Sequence, residues 1–346
     1  MQHPRLAPSR RAVVAGLTAA GLAASGARAQ TLPVVGKIER LDPELDALVD
    51  ADAVVERVLG DYTWCEGPVW VGGPDGFILS SDVRANAIRR WNEKDGGSVC
   101  LTPSGYEGPP DPDINEPGSN GLCLGRGGVV FAGSGARVVG VIDLKTKKKT
   151  VLCSHFEGKK FNSPNDVVLA KDGSIYFTDP CFGLKGGVDS PLREMNYQGV
   201  FRIAPDNTVS LVDGDLSPNG IGLSPDGRTL YLTDKYNRDD KGRWFAMTLD
   251  EKGAVTDKRE FIGMQHGPGD GDGLRVDTGG YVWATSADGV SIYTPQGKPI
   301  GIVRANEIER NCEIGADGYL YIAARHDLLR VKVKAKKLLW PVWRKA

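Results

Sequence analysis

The chain has little cysteine, no surplus of basic charge, no long apolar run and almost no helical periodicity, and each shortage removes a class of protein. Six cysteines in 346 residues, Cys65, Cys100, Cys123, Cys153, Cys181 and Cys312, fall in no paired metal-binding spacing. They read as small hydrophobes buried in strands. A net charge of −1 leaves no basic excess to neutralise phosphates, so nucleic acid is not an expected partner. The lysine tracts 145–149 and 332–337 read as solvated loops or strand edges, where lysine blunts edge pairing. Ala12 to Ala27 is weakly apolar, but too short and too rich in Ala and Gly to span a membrane.

That stretch fits an export signal over residues 1–29 instead. Ser9-Arg10-Arg11 supplies a twin-arginine start, and Ala27-Arg28-Ala29 a small-x-small cleavage site before Gln30. Twin-arginine export carries a folded protein to a bacterial periplasm, so a periplasmic or secreted location is expected, with no stable membrane insertion once the signal is removed.

Beyond residue 53 nearly every apolar run is short, rich in Val, Ile, Tyr, Phe and Thr, and closed by Gly, Asp, Pro or Asn. One helix is expected near Pro43 to Val49, with Asp42 as N-cap and Pro43 at the first helical position. The rest reads as all-β. Six strongly β runs recur: 77–82, 129–132, 174–179, 229–234, 281–285 and 319–323. Each follows a Gly turn, and four of the six turns carry Asp-Gly, at Asp75-Gly76, Asp172-Gly173, Asp226-Gly227 and Asp317-Gly318. Six such units predict a six-bladed β-propeller of four-stranded antiparallel blades over 53–346, after an extension at 30–52 that holds the short helix. The run Ala53 to Leu59 is the candidate outer strand of the last blade, with the tail Leu338 to Trp343 competing for that place.

A polar anchor precedes each strong run, at intervals of roughly 40–55 residues. The anchors are Glu66, Asn120, Asn165, Asn219, Asp272 and Asn311. Taken singly, Asn-Gly and Asp-Gly are ordinary turn formers. In one register around a propeller axis they become a ring of oxygen donors. Two carboxylates with amide carbonyls, and no Cys or His, make a hard donor set that favours a divalent cation, Ca²⁺ first, with Mg²⁺, Mn²⁺ and Zn²⁺ as alternatives. Glu66, flanked by Cys65, Gly67, Pro68, Val69 and Trp70, needs a cation or a donor, because an unpaired charge in that apolar setting is costly.

Several motifs carry a family resemblance: Cys65-Glu66-Gly67-Pro68-Val69-Trp70, Ser163-Pro164-Asn165-Asp166-Val167, Tyr176-Phe177-Thr178-Asp179-Pro180, Ser217-Pro218-Asn219-Gly220-Ile221 and Gly271-Asp272-Gly273-Leu274. They resemble those of the gluconolactonase, regucalcin (senescence marker protein) and luciferin-regenerating enzyme family, from about Ile38 to Val333. The stretches Glu116-Pro117-Gly118-Ser119-Asn120-Gly121 and 194–201 look most like exported bacterial gluconolactonases. The resemblance implies a catalytic divalent cation on the axis, held by Glu66, Asn165, Asn219 and Asp272. It implies Asn120 against the substrate and Asp272, rather than Glu66, as general base; in the expected mechanism Asn165 also helps to orient the substrate. Asn311, beside Cys312, falls back to a structural part. Where the family commonly has Asp-Pro-Pro-Tyr-Gly, this chain reads Asp179-Pro180-Cys181-Phe182-Gly183, a departure that bears on substrate preference.

The expected activity is opening of a sugar lactone by cation polarisation of the carbonyl and general-base activation of water. The alternatives are an ester or phosphotriester hydrolase on the same metal, and a non-catalytic calcium-binding propeller. Three lesser expectations complete the reading. His266 is a rim residue or simply exposed. Asp179 and Asp234 bond backbone amides inside their blades. Arg193, Glu194 and Tyr197 form a polar cluster that could cap the pocket.

Overall fold

β-Branched and aromatic residues alternating between tight Gly turns leave the chain no stable option but short strands, and these pair locally into hairpins. The computed structural model describes residues 32–235, 242–262, 271–286, 288–305 and 307–341. The export-signal stretch and His266 lie outside those residues. Blade 1 comprises Cys65–Val71, Phe77–Asp82, Ala87–Asn92 and Gly96–Leu101. Blade 2 comprises Ser119–Gly125, Gly128–Gly133, Val138–Ile142 and Lys149–Cys153. Val167–Leu169, Ile175–Asp179, Gly199–Ile203 and Val209–Asp213 make blade 3, and Pro218–Leu223, Thr229–Asp234, Arg243–Leu249 and Val255–Ile262 make blade 4. Blade 5 runs through Leu274–Val276, Val282–Ser286, Gly289–Tyr293 and Pro299–Ala305. Blade 6 holds Glu309–Ile314, Tyr319–Ala324 and Asp327–Lys332. The first strands of neighbouring blades face one another around an axis, so the architecture is a six-bladed all-β propeller.

Val55–Leu59 pairs antiparallel with Asp327–Lys332, so the last blade mixes strands from the two ends of the chain. The tail does not take that place. Leu338, Leu339 and Trp340 lie with Leu124, Leu169 and Leu223 at the opposite end of the inner strands from the anchors. Gly36–Arg40 adds a fifth strand to the edge of blade 5 by pairing with Pro299–Ala305, in the stretch where sequence pointed only to a helix. Its sequence, Gly-Lys-Ile-Glu-Arg, has one apolar residue and no strand pattern of its own. The expected helix is a 3₁₀ turn over Pro43–Ala47, with the Asp42 side chain accepting from the Glu44 N–H at 3.0 Å. No helix among the described residues is long and apolar enough to cross a membrane.

Two devices hold the blades in the ring. Aromatic packing fills the core: Trp70 of blade 1 stacks on Tyr321 of blade 6 at 5.5 Å, and Phe161, Phe177 and Phe201 cluster at blade 3. Near the axis, hydroxyls of the second strands reach forward to the next blade. Ser81 donates to the Asn120 carbonyl (2.7 Å), Thr178 to that of Asn219 (2.7 Å), Thr233 to that of Asp272 (2.8 Å) and Thr285 to that of Arg310 (3.0 Å). The next residue along closes the blade itself. Asp82 accepts from the Thr63 and Trp64 N–H groups, Asp179 from Asn162 N–H and Asp234 from Ser217 N–H. The Ser/Thr-Asp pairs ending three of the strong runs thus position the anchors: the hydroxyl holds the next blade's anchor and the carboxylate the entry to its own.

Candidate active site

Equivalent residues are set by strand register. Cys65 pairs with Asp82, Ser119 with Gly133, Pro218 with Asp234 and Glu309 with Ala324, and the ladder then breaks in a bulge, directly in the last three strands and after the Glu66–Ser81 pair in the first. Bulges re-aim side chains. The residues after those four pairs are Glu66, Asn120, Asn219 and Arg310, and all four line one cavity together with Asn165 and Asp272. The sixth anchor position therefore belongs to Arg310, one residue before Asn311. Asn311 lies a step deeper, where its Oδ1 accepts from Cys312 N–H (2.9 Å) and its Nδ2 donates to Asp166 Oδ2 (3.4 Å). That is the structural part expected of it.

At this deeper level four of six positions are glycine for lack of space. A Cβ on Gly67 or Gly220 would run into the carbonyl of Asn120 or Asp272, and one on Gly121 or Gly273 into the side chain of Asp166 or Asn311. The two side chains that do fit plug the axis. Arg275 Nη1 pairs with Asp166 Oδ2 (3.1 Å) and its Nε with Glu313 Oε2 (3.3 Å), while Lys337 bonds the other Glu313 oxygen. The cavity above is thus closed below by a salt-bridged neck.

The cavity, of about 330 Å³, is lined by five of the expected anchors, by Arg310 in place of Asn311, and by Trp64, Arg84, Asn115, Glu116, Phe182 and Lys235. Its volume suits a small molecule. Asn115, Glu116 and Phe182 are brought in by two loops zipped together: the Asn115 and Glu116 N–H groups donate to the Gly183 carbonyl, and Asn115 Nδ2 to that of Phe182. Phe182 is thus the residue of the departing Cys181-Phe182 pair that reaches the pocket. Arg193, Glu194 and Tyr197 line none of it: Glu194 bonds Lys160 N–H and faces Arg137 at 3.8 Å, and Tyr197 packs on Phe201.

Electrostatically the floor is an acidic cluster with partners on one side. Asp272 Oδ2 sits 3.2 Å from Arg310 Nη1 and 3.4 Å from Lys235 Nζ. Glu66 accepts from the Gly67 N–H at 3.2 Å; burial, then the charge of Asp272, push its carboxyl well above the ordinary range. Burial likewise raises Glu116, which accepts from Ser134 and is hydrogen-bonded to Asn120. Asn120 Oδ1 and Asn219 Oδ1 are buried and have no hydrogen-bond partner. An orphaned buried carbonyl is rare. Two of them beside two carboxylates form a donor set that fits a hard divalent cation. Among the described residues, this cavity included, no three His, Cys, Asp or Glu are grouped to hold a metal, so amide oxygens would have to complete the set.

The sequence brought Glu66, Asn120, Asn165, Asn219 and Asp272 to this place, and the structure gathers all five. Arg310, Lys235, Arg84 and Trp64 were missed. For Arg310 the signal was a one-residue shift that only the bulge resolves; Lys235 follows directly on Thr233-Asp234.

Residues 64–326 match the model of the SMP-30/Gluconolactonase/LRE-like region. A gluconolactonase of Zymomonas mobilis is 37% identical over 335 residues, covering 93% of each chain. The solved structure of a gluconolactonase from Xanthomonas campestris superposes with a TM-score of 0.75 at 26% identity, over 87% of this chain and 97% of that one. A calcium-binding regucalcin from Agrobacterium tumefaciens, 19% identical, shares the fold at a TM-score of 0.63 over 83% of this chain and 96% of its own.

Proposed function

This chain belongs to the SMP-30/gluconolactonase/LRE-like family, and from that premise we propose that it is a gluconolactonase-like hydrolase of sugar lactones that works with a divalent cation. The observation that carries the metal dependence is the orphaned Asn219 Oδ1 in one cavity with the Glu66 and Asp272 carboxylates; the orphaned Asn120 Oδ1 is left to accept from a substrate hydroxyl. Glu66, Asn165, Asn219 and Asp272 would hold the cation, Ca²⁺ by donor chemistry, which when bound supplies Lewis-acid polarisation of the lactone carbonyl.

The side chains divide the rest. Lys235 and Arg310 fix Asp272 through Oδ2, which leaves Oδ1 to take a proton from water. The hydroxide attacks the carbonyl carbon, and as the tetrahedral intermediate collapses the C–O bond to the ring oxygen breaks. That oxygen leaves as a hydroxyl, taking the proton back from Asp272. Asn120 and Asn165 orient the substrate's carbonyl and hydroxyls, and Phe182 offers an apolar wall to the sugar ring. Asp272→Asn should abolish acid release from glucono-1,5-lactone in a pH-stat while the melting profile stays cooperative. Near-wild-type turnover in that variant would sink the assignment, and activity on an aryl ester or phosphotriester but on no lactone would sink the substrate class. The twin-arginine-type N-terminus supports a periplasmic setting for this chemistry.

A further inference from the structure

We propose that the substrate carries a second, anionic group, a carboxylate or phosphate remote from the lactone carbonyl, bound at the pocket mouth by Arg84 and Arg325. The proposal rests on the lactone-hydrolase reading. Three guanidinium groups gather on one indole: Arg84 at 4.2 Å from the Trp64 ring centre, Arg310 at 4.8 Å and Arg325 at 5.5 Å. Arg310 is buried and pairs with Asp272. Arg84 and Arg325 are exposed, and neither forms an ion pair among the described residues, although the charge of Arg84 acts on the Glu116 carboxyl.

Both are held in place by backbone rather than left on loose stalks. Arg84 sits in the tight connection between Phe77–Asp82 and Ala87–Asn92, where the Val83 N–H donates to the Trp64 carbonyl at 3.0 Å. Arg325 sits in the turn between Tyr319–Ala324 and Asp327–Lys332, and its carbonyl accepts from the Cys65 N–H at 2.7 Å, next to Glu66. Stacking on an indole orients a guanidinium plane and leaves its N–H edges available, the fork that matches a carboxylate or a phosphate.

Two like charges on one ring repel, and an anion reached by both relieves that repulsion. A neutral polyol lactone would not. The floor below bears three carboxyl groups, Glu66, Glu116 and Asp272, against two cations, Arg310 and Lys235, so the formal charge is negative at the floor and positive at Arg84 and Arg325. An anionic substituent would therefore point outward to the arginines, and the lactone carbonyl inward to Asp272. Unassisted solvation of the two arginines is the plain competitor, and it gives no reason for substrate selection.

The test is the ratio of kcat/KM for an anionic lactone to that for glucono-1,5-lactone. One arm uses an aldarolactone with a terminal carboxylate and the other a phosphorylated aldonolactone, which tells carboxylate from phosphate. The wild type should favour at least one anionic lactone, with the ratio falling as ionic strength rises. Arg84→Gln and Arg325→Gln should each lower the ratio about tenfold or more. A ratio below one, or one untouched by both substitutions, overturns the proposal. A calorimetric arm is independent of turnover: the ring-opened aldarate and phosphogluconate should bind wild type about tenfold more tightly than Arg84→Gln. If no lactone of any kind is opened, the hydrolase reading falls. Calorimetry then decides the anion site, with absent or equal binding counting against it.

Discussion

Replacing Thr233 with valine removes one hydroxyl and keeps the shape of the side chain, so it isolates what the inter-blade brace contributes. Thr233 Oγ1 accepts from the Gly220 N–H at 2.7 Å and donates to the Asp272 carbonyl at 2.8 Å, all in a buried setting. The N–H keeps a second acceptor, because it also reaches the Asp272 carbonyl at 3.1 Å. The loss is therefore that of one buried bridge rather than of two orphaned groups, about 1–3 kcal/mol. For a domain of this size that corresponds to a fall in Tm of about 2–10 °C. Turnover should fall further than stability, by about tenfold or more, since Asp272 loses the contact that fixes its backbone beside the reacting atoms. Thr229→Val is the matched control: Thr229 starts the same strand, is half-buried and makes no side-chain hydrogen bond, so a change within about 0.5 kcal/mol is expected. Urea unfolding and pH-stat assays on both variants make the comparison. If Thr233→Val matches Thr229→Val in stability and turnover, the anchors are not held by these hydroxyls.

The axial neck and the buried Asp179 give two further expectations. Arg275→Met leaves Asp166 and Glu313 without their shared partner in a buried site, and should destabilise by about 3–5 kcal/mol in urea unfolding; a loss under 1 kcal/mol would mean the network is solvated. Burial raises the Asp179 carboxyl to about 7 from its ordinary 3.8, so between those values the folded state holds a proton that the unfolded state releases. Stability from this group is greatest below about pH 4 and is lost as pH rises to about 7, by up to about 4 kcal/mol. Asp179→Asn should flatten that part of the profile, and parallel pH profiles for the two proteins would show that Asp179 does not titrate there.

The propeller was legible because its signals are local and repeated: a Gly turn, Asp-Gly in four units of six, and a strongly β run need no knowledge of distant residues, and six copies of the pair remove chance. The site was legible at Glu66, Asn120, Asn165, Asn219 and Asp272 for the same reason. What escaped depends on pairing between strands. A bulge after Glu309 moves the anchor position from Asn311 to Arg310, and no residue in Glu309-Arg310-Asn311 announces it. Lys235 and Arg84 enter the pocket just past strand ends, where backbone bonds to distant residues, Lys235 N–H to the Ser217 carbonyl and Val83 N–H to that of Trp64, set their place. Gly36–Arg40 is a strand only because blade 5 offers an unpaired edge to it. The Ser/Thr-Asp pairs were visible as strand ends, and half of their work, the backbone bonds of Asp179 and Asp234, was expected; the hydroxyl's reach to the next blade belongs to the ring as a whole.

The claim on which the rest depends is that the anchor ring holds a cation needed to open a lactone. Protein stripped with a chelator and titrated with Ca²⁺, with bound metal and glucono-1,5-lactone turnover read from the same samples, addresses it directly. Turnover should be lost on stripping and return in proportion to occupancy, saturating at about one ion per chain, as a single ring of donors requires. Full turnover by protein that carries no metal would contradict it.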